Sequence, residues 1–564
     1  MGFQCAFQKA VVKCAQSVQG NEVMDRAIQL LHEIQRLMEL RGENLFKIRA
    51  FEKAAQQLEG RTDLLERAQS KTLREIPGIG KGIEEILSEF LLEGRSSVLD
   101  ELKKAIPQGL LELTQIPGLG PKKALTLIEE LGVRTIGELE YACKENRLIG
   151  LKGFGLKAQQ KILENVSFFQ AHQGQQKLSE AWPLAEKFYQ EIKQEYPELQ
   201  LSETGELRRK LEVLSHLEFL VVESEEGKVK RDALETFIEG FRKRNEHSLP
   251  IVLHFCSVQE FGYWLAQTTA SQAHWEELGA PASSRAQSEE EFYRGLGLSW
   301  IAPELRETGE EVEWAKKGAL EQILPWDSIR GVFHAHTLRS DGAASLEEMV
   351  QAALKQGFEY IGISDHSQSA YYAQGLKVPD LWSQREEVEK IQKKYPQIKV
   401  FWGIESDILQ DGSLDYEPEV LKAFDFVIAS IHSRFQMDRA AMTERVLKAI
   451  RNPYTRFLGH PTGRLLLGRK GYELDFEAVI QEAHQYGVAI ELNSNPNRLD
   501  LDWRWGQVMR KHQTLTSINP DAHDVEGIAD TRFGIAMARK ALFSKHQVIN
   551  TQSAQEVEKW LKRK

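Results

Sequence analysis

Two patterns of hydrophobic positions divide the chain. From about residue 21 to residue 166, apolar residues recur at helical spacing and are interrupted by glycine-rich turns. From Ile329 onward, short apolar runs alternate with amphipathic stretches, which predicts parallel strands and helices in turn, as in a β/α barrel. The predicted strands are 360–363, 400–404, 426–429, 455–458, 488–490 and 515–518.

One form of glycine-rich turn occurs twice in the helical part. Residues 76–81 read IPGIGK and residues 116–121 read IPGLGP, while LKGFG at 151–155 is a weaker third copy. Glycines allow positive φ and close approach of a ligand to the backbone, and amides at the start of the next helix can bind phosphate oxygens. A pair of αα-hairpins with glycine caps is the alternative. Two close copies followed by lysines favour DNA binding through Gly78, Gly80, Lys81, Gly118, Gly120, Lys122 and Lys123.

Side chains of the metal-ligand type follow most of the predicted strands. A lone histidine at such a place is usually structural, but carboxyl ends of barrel strands converge on one face. Nine imidazoles and carboxylates in one pocket would be costly to desolvate without cations, and the mixture suits Zn²⁺, Mn²⁺ or Fe²⁺ better than Mg²⁺. The nine are His334, His336, Asp341, His366, Glu405, His432, His460, Asp521 and His523.

Composition excludes only some classes of fold, location and partner. The chain has 564 residues, 41% hydrophobic and 27% charged, which indicates three or four globular domains. No apolar run is long enough for a membrane span, and the first twenty residues lack the features of a signal peptide. Four cysteines without CxxC spacing exclude a cysteine-based zinc module and favour a reducing cytoplasm. The net charge of −11 alone disfavours nucleic acid, but it averages over several domains.

Several segments resemble family X DNA polymerases. Residues 39–51 (ELRGENLFKIRAF) with the first hairpin are similar to that family's small DNA-binding domain, the second hairpin to its fingers, and residues 303–307 (PELRE) to the end of its thumb. Beyond about residue 21 the chain resembles a bacterial family X polymerase with a fused PHP (polymerase and histidinol phosphatase) domain. The resemblance implies a partner that is gapped, nicked or 3′-ended DNA, bound without sequence specificity. It also implies no membrane, a monomer, and a cytoplasmic, nucleoid-associated location.

The resemblance implies a domain order as well. The fold class is helical helix-hairpin-helix domains, an α+β polymerase-type palm and thumb, and a distorted (β/α)7 PHP barrel. The expected boundaries are an N-terminal extension (1–20), a small helical DNA-binding domain (21–100), a fingers-like domain (101–170), a palm (171–250), a thumb-like domain with linker (251–326) and the PHP domain (327–564).

The palm departs from the family at the residues that carry nucleotidyl transfer. The family has a Gly-Ser turn, an Asp-x-Asp pair and a third Asp; here Glu206 replaces the serine, His216 and Glu218 stand at the pair, and Val252 stands at the third position. Valine cannot bind a metal, histidine is a poor ligand for Mg²⁺, and Glu206 would repel a triphosphate. We expect an inactive polymerase site whose palm and thumb hold DNA.

The PHP resemblance implies a site with three divalent metal ions, Zn²⁺ and/or Mn²⁺, with Fe²⁺ as an alternative. The matching motifs carry over the same nine ligands, with Glu405 as the bridging carboxylate and central catalytic residue. Asp365 is expected to orient a neighbouring histidine. Arg434 and Arg464 follow ligand histidines and could donate to the scissile phosphate, or could be surface salt bridges.

These features predict a metal-dependent phosphodiesterase acting on DNA, as a 3′–5′ exonuclease or a 3′-end-processing enzyme. Three alternatives remain open. One is a bifunctional repair polymerase and exonuclease with an active palm. Another is a DNA-end-binding scaffold whose metals are structural. The third is a phosphatase of small molecules, which the hairpins disfavour.

Overall fold

The computed structural model describes residues 24, 26–35, 37–38, 43, 45–58, 61–107, 109–171, 174–223, 231–245 and 249–563. The expected N-terminal extension, and residues 39–42 and 44 of the polymerase-like segment, lie outside the described residues. The chain divides between Arg134 and Thr135 into two compact units. Among the helices that the structure describes, none is long and apolar enough to cross a membrane.

The first unit is helical. Its buried apolar side chains include Ile76 and Ile79 of the first hairpin, so the hairpin packs on the helices that flank it. From residue 45 onward the helices of this unit are α1 (Leu45–Leu58), α2 (Leu64–Ser70), α3 (Lys81–Glu93), α4 (Ser97–Ala105), α5 (Leu110–Leu113) and α6 (Pro121–Leu131).

The second unit begins at Thr135 and includes the third hairpin and the palm-like sheet. In that sheet β2 pairs antiparallel with β4, and β4 pairs parallel with β5, while β1 and β3 form a separate pair. The helices are α7 (Ile136–Lys144), α8 (Leu156–Ala171), α9 (Leu178–Glu195), α10 (Gly205–Arg208), α11 (Arg231–Arg244), α12 (Phe261–Thr269), α13 (Gln272–Leu278), α14 (Glu289–Gly295) and α15 (Glu310–Lys316). The strands are β1 (Gln176–Lys177), β2 (Leu201–Thr204), β3 (Val213–Leu214), β4 (Leu217–Glu223) and β5 (Ile251–Ser257).

Seven parallel strands form the barrel, in the spatial order of the chain from β6 to β12. A parallel bridge between Ala335 and Ala522 links the segments that follow the first and last strands, so the sheet nearly closes there. The predicted fold class is confirmed. The strands are β6 (Gly331–Val332), β7 (Tyr360–Ile363), β8 (Lys399–Asp407), β9 (Phe426–Ser430), β10 (Thr455–Leu458), β11 (Ala489–Asn493) and β12 (Thr516–Asn519).

Aromatic side chains fill one end of the barrel interior. Phe333 and Phe457 have ring centroids 4.7 Å apart, and Phe426 lies 5.5 Å from Phe333. A Cβ at Gly403 would lie 2.3 Å from the Phe426 ring, which explains a glycine inside strand β8. Polar ligands therefore collect at the other end.

The helices of this region are α16 (Leu346–Lys355), α17 (Val378–Lys394), α18 (Pro418–Leu421), α19 (Arg439–Ile450), α20 (Phe476–Tyr486), α21 (Gly506–His512), α22 (Thr531–Lys540) and α23 (Ala554–Leu561).

Candidate metal centre

The closure of the barrel brings ligands from both ends of the domain together. The His336 amide donates to the Ala522 carbonyl at 2.8 Å, which sets the loop after β6 beside the loop after β12. Asp521 Oδ1 is consequently 3.1 Å from His336 Nε2 and 3.3 Å from His334 Nε2. The ring of His523 stacks on that of His336 with centroids 4.2 Å apart.

Glu405 lies at the middle of the cluster. Strand β8 runs on to Asp407, so Glu405 is within the strand instead of after it. Its carboxylate oxygens are 2.9 Å from His366 Nδ1 and from His460 Nε2, and 3.2 Å from His432 Nε2. The side chain is 1% exposed, so its charge is compensated by imidazoles instead of water.

Asp341 joins the remaining predicted ligands. Its oxygens are 3.4 Å from Nε2 of both His366 and His523, and 3.8 Å from His336 Nδ1. All nine predicted ligands thus form one connected cluster. Within it, three overlapping groups have ligand atoms within 4.8 Å of one another, namely His336, Asp341, His366 and His523; His334, His336 and Asp521; and His366, Glu405 and His432.

Hydrogen bonds from outside the cluster orient its imidazoles. Nδ1 of His334 donates to Glu491 Oε1 at 2.8 Å, and Nδ1 of His432 donates to Asp407 Oδ1 at 2.6 Å. Nδ1 of His523 donates to the backbone carbonyl of Asp521 at 3.0 Å. A ring whose Nδ1 carries the proton presents Nε2 as the metal-binding atom. Three of the histidines are therefore oriented with Nε2 toward the cluster.

Buried polar atoms without a hydrogen-bond partner concentrate in this cluster. Among the described residues they include Nε2 of His334, both ring nitrogens of His366, and one oxygen each of Asp341 and Glu405, which face charged neighbours without the geometry of a hydrogen bond. Leaving such atoms unpaired in the interior costs free energy of about 1–3 kcal/mol each. Divalent cations bound between these imidazoles and carboxylates would accept the lone pairs that face one another. The residues therefore fit metal ions.

The charge states of Glu405 and His336 suit cation binding. Burial would raise the pKa of Glu405, but the imidazoles of His432, His334 and His366 hold it well below its usual value. Burial, with a smaller effect of the neighbouring imidazoles, lowers the pKa of His336 to about 3. Glu405 is therefore an anion and His336 a neutral imidazole at pH 7, the protonation states that bind metals. On four other rings metal ions would replace protons. Burial opposes protonation there, but the neighbouring carboxylates raise the pKa above its usual value for His334, His366, His432 and His523.

Asp365 and the two arginines occupy different settings. The expected hydrogen bond from a neighbouring histidine to Asp365 is absent among the described residues. Asp365 accepts hydrogen bonds from the amide and hydroxyl of Thr337 (2.7 and 2.8 Å), the hydroxyl of Ser340 and the side-chain amide of Gln384. Asp365 therefore fixes the loop after His336.

The Arg464 guanidinium is bound by Asp502 and by the carbonyls of Arg498 and Leu499. Arg434 is exposed two residues beyond His432, so its role as a phosphate donor stays a prediction.

Sequence reasoning missed several residues around the cluster. Glu491 and Asp407 are carboxylates within strands β11 and β8, and Asp407 shares a strand face with Glu405, which is a usable signal. Glu145 and Arg147 come from the turn after α7, far from the barrel in sequence. Glu145 forms an ion pair with His523 Nε2, and Arg147 Nε is 3.9 Å from Asp341 Oδ2.

The three hairpins share one backbone turn. The middle glycines Gly78, Gly118 and Gly153 have φ of 88°, 82° and 91°, values that L residues rarely adopt. Gly80 and Gly120 are extended N-caps, and a Cβ at either would meet nothing within 4 Å. Nothing within the described protein therefore requires glycine at these two places, and the open side suits an approaching backbone. Lys81, Lys122 and Lys123 are exposed beside them.

The palm carboxylate Glu218 is held by two histidines. Nε2 of His216 donates to its Oε1 at 2.7 Å, and Nε2 of His254 donates to its Oε2 at 2.8 Å. Val252 pairs in register with Glu218 on strand β5. Glu206 accepts hydrogen bonds from the amide and hydroxyl of Ser215 at 3.0 and 3.2 Å. His254 was not anticipated, because its position is not one of the family's carboxylate positions.

Comparisons with known proteins agree with this architecture. The PHP domain model matches residues 333–495, a helix-hairpin-helix domain matches 25–96, and a SAM-like helix-hairpin-helix tandem matches 110–166. The DNA polymerase/3′-5′ exonuclease PolX of Bacillus subtilis is 34% identical over 566 residues, 95% of this chain and 99% of that protein. A probable phosphatase of Caldanaerobacter subterraneus is 31% identical over 190 residues, 32% of this chain and 66% of its own length. One from Caldicellulosiruptor bescii is 35% identical over 173 residues, 29% of this chain and 64% of its own length. The chain belongs to the family X DNA polymerases that carry a PHP domain.

Proposed function

We propose that the protein is a metal-dependent phosphoesterase that acts on DNA 3′ ends in repair, as a 3′–5′ exonuclease or a 3′-end-processing enzyme. The observation that carries this proposal is the cluster of nine ligand-type side chains around Glu405, in a chain that also has helix-hairpin-helix turns. The name of the B. subtilis relative supports the exonuclease, and the probable phosphatases support hydrolysis of phosphoesters.

The cluster would hold three divalent ions, Zn²⁺ and/or Mn²⁺, with Fe²⁺ as an alternative. The three overlapping groups of ligand atoms support that number. Such ions supply Lewis acidity and activate water at neutral pH. The nine side chains would be the ligands, and Glu405, which lies within 3.7 Å of five of the histidines, would be the bridging carboxylate and central catalytic residue.

The side chains around the ligand cluster would have different roles. Glu491 and Asp407 hold the rings of His334 and His432 so that Nε2 points into the cluster. Arg434, exposed beyond His432, would donate to the scissile phosphate. Arg464 is engaged by Asp502 and two carbonyls, which favours a structural role for it over phosphate binding.

The hairpins would deliver DNA to this site. Backbone amides beyond Gly80 and Gly120, with Lys81, Lys122 and Lys123, would bind phosphates of gapped, nicked or 3′-ended DNA without sequence specificity. The helical domains (21–100 and 101–170), palm (171–250), thumb (251–326) and PHP domain (327–564) remain the proposed division. We propose further that the protein works as a monomer in the cytoplasm, at the nucleoid.

The palm would serve as a scaffold. Both oxygens of Glu218 accept hydrogen bonds from imidazoles, and Val252 offers no ligand atom. Two-metal nucleotidyl transfer needs several carboxylates that are free to bind Mg²⁺. The rival is a bifunctional enzyme with an active palm, which the word polymerase in the name of the B. subtilis relative favours.

One assay separates these functions. End-labelled single-stranded and recessed-end DNA is incubated with the protein in Mn²⁺, with and without dNTPs, and with EDTA as control. The proposal expects stepwise shortening from the 3′ end that EDTA abolishes and dNTPs do not reverse. Extension with dNTPs would favour the bifunctional enzyme. Binding without any hydrolysis would favour a scaffold with structural metals.

A further inference from the structure

The turn after helix α7 is rigidly built. Glu145 is the C-cap, Asn146 has φ of 55°, and the amides of Asn146 and Arg147 donate to the carbonyls of Cys143 and Ala142 at 3.2 and 2.9 Å. These two hydrogen bonds are those of a Schellman motif. This backbone geometry fixes the directions in which Glu145 and Arg147 leave the helix end.

Helix α7 is anchored to the barrel by buried charges. Lys177 donates to Glu140 at 2.6 Å and to Asn497 at 2.8 Å, and Lys144 also donates to both residues. Arg498 donates to the hydroxyl of Tyr141 at 2.8 Å. The side chains of Glu140 and Lys177 are each 2% exposed. The turn that follows the helix is therefore held against the metal centre by this network.

Arg147 is a partly buried cation with an unused donor, and its Nη2 lies 4.0 Å from Glu145 Oε2. Its guanidinium carbon lies 4.6 Å from the ring centroid of Tyr372 and 5.4 Å from that of Tyr141. Its side chain is 16% exposed, and its Nε is buried without a hydrogen-bond acceptor among the described residues. Asp341 Oδ2 is 3.9 Å away, too far for a hydrogen bond. A guanidinium presents five donors in a planar fork that matches phosphate oxygens.

Tyr372 supplies a second unused donor at the same place. Its hydroxyl is buried without a partner among the described residues. Its ring centroid is 6.3 Å from that of His366 and 6.5 Å from that of His432, so it borders the metal centre. Two orphaned donors beside a cation site, one of them charged, are satisfied together by an anion with several oxygens.

We propose that Arg147, with Tyr372, binds the phosphate of the strand being hydrolysed, so that the turn after α7 completes the site from outside the barrel. This inference rests on the proposed function for the identity of the strand, while the phosphate subsite itself does not. Glu145, paired with His523, shows that the same turn reaches the ligands. The subsite would make hydrolysis depend on a segment that lies outside the PHP domain.

Phosphate affinity and DNA hydrolysis test the inference separately. The metal-loaded full chain is titrated with inorganic phosphate by calorimetry, and kcat and KM are measured on end-labelled DNA. Arg147→Ala is expected to weaken phosphate binding about tenfold or more and to lower kcat/KM on DNA about 100-fold, with metal content unchanged. Arg147→Lys should lose most of the same affinity, because an ammonium lacks the planar fork. Tyr372→Phe should have a smaller effect in the same direction.

Two controls sharpen the result. Arg385 also lies over an aromatic ring, that of Trp402 at 5.3 Å, but on helix α17 and paired with Glu389, so Arg385→Ala should keep wild-type values. Added guanidinium ion should restore part of the Arg147→Ala rate and leave the Arg385→Ala rate unchanged. Unchanged phosphate affinity in Arg147→Ala, or loss of bound metal from that variant, would overturn the inference. A wild type that hydrolyses no DNA but binds phosphate through Arg147 would instead overturn the proposed function.

Discussion

Nε2 of His254 lies 2.8 Å from Oε2 of Glu218, the carboxylate that stands at the predicted Asp-x-Asp position of the palm. Nε2 of His216 occupies the other oxygen, so the remaining carboxylate of the expected pair is committed to imidazoles. The palm thus keeps its sheet while its ligand atoms are used internally.

The first prediction concerns this palm. With Mg²⁺ or Mn²⁺ and all four dNTPs, the protein should not extend a primer in a gapped duplex, because Glu218 is hydrogen-bonded on both oxygens and Val252 is no ligand. The measurement is gel analysis of the labelled primer. Template-directed extension that Glu218→Ala abolishes would show an active palm.

A second prediction concerns the hairpins. Gly120 has φ of −71° and an open surrounding, so Gly120→Val should fold normally while its side chain blocks approach of a phosphate backbone. We expect DNA affinity to fall about tenfold or more, independently of sequence. Wild-type affinity should drop steeply with salt, and Lys122→Ala should reduce the slope by about one.

Gly295 offers a matched control, since a Cβ there also meets nothing within 4 Å but the residue lies outside the hairpins. The hairpins are proposed to supply most of the DNA affinity, so Gly295→Val should lose much less affinity than Gly120→Val. Equal affinity of the folded Gly120→Val variant and the wild type would place the contact elsewhere.

The third prediction tests the residues that orient the ligands. Glu491→Ala should cost about 10- to 100-fold in metal affinity or activity, because Nδ1 of His334 loses its acceptor. Glu491→Gln keeps an acceptor oxygen and should lose less. Metal content after dialysis against a weak chelator ranks the three proteins. The opposite order, or no loss in either variant, would contradict this role of Glu491.

A fourth prediction concerns stability. Burial raises the pKa of Asp530 to about 7, with Arg532 opposing the shift. The folded-state pKa lies above the unfolded value, so the folded state binds the extra proton, and stability is lost as pH rises from about 4 to 7. Asp530→Asn removes this loss. In EDTA, the stability gained by the variant should grow by about 2 kcal/mol between pH 5 and pH 8, measured by urea unfolding. A gain that is constant with pH would disprove the shift.

The barrel was the part of the fold most accessible from sequence. Short apolar runs such as 360–363 and 455–458 coincide with β7 and β10, and the ligands follow because parallel strands end on one face. Strand β8 extends two residues past Glu405, because Asp407 also pairs with β9. The local sequence pattern does not show at which residue the pairing between two strands ends.

Contacts between segments that are distant in sequence could not be predicted from local patterns. Glu145 reaches His523 across a separation that no periodicity encodes, and the turn that places it looks like any helix end. His254 was likewise passed over, because it meets Glu218 only through the parallel pairing of β4 and β5. Contacts of this kind become visible only in the folded chain.

Removing the charge of Glu405 tests the central claim most directly. Glu405→Gln keeps the shape of the side chain but removes the anion that compensates the cations, so metal content and hydrolysis of labelled DNA in Mn²⁺ should fall together. DNA binding should be retained, since the hairpins are unaltered. Glu417, an exposed carboxylate before helix α18, is the control, and Glu417→Gln should match the wild type. Joint loss of metal and nuclease activity in Glu405→Gln alone is the predicted result; degradation of DNA by that variant at the wild-type rate would contradict the account.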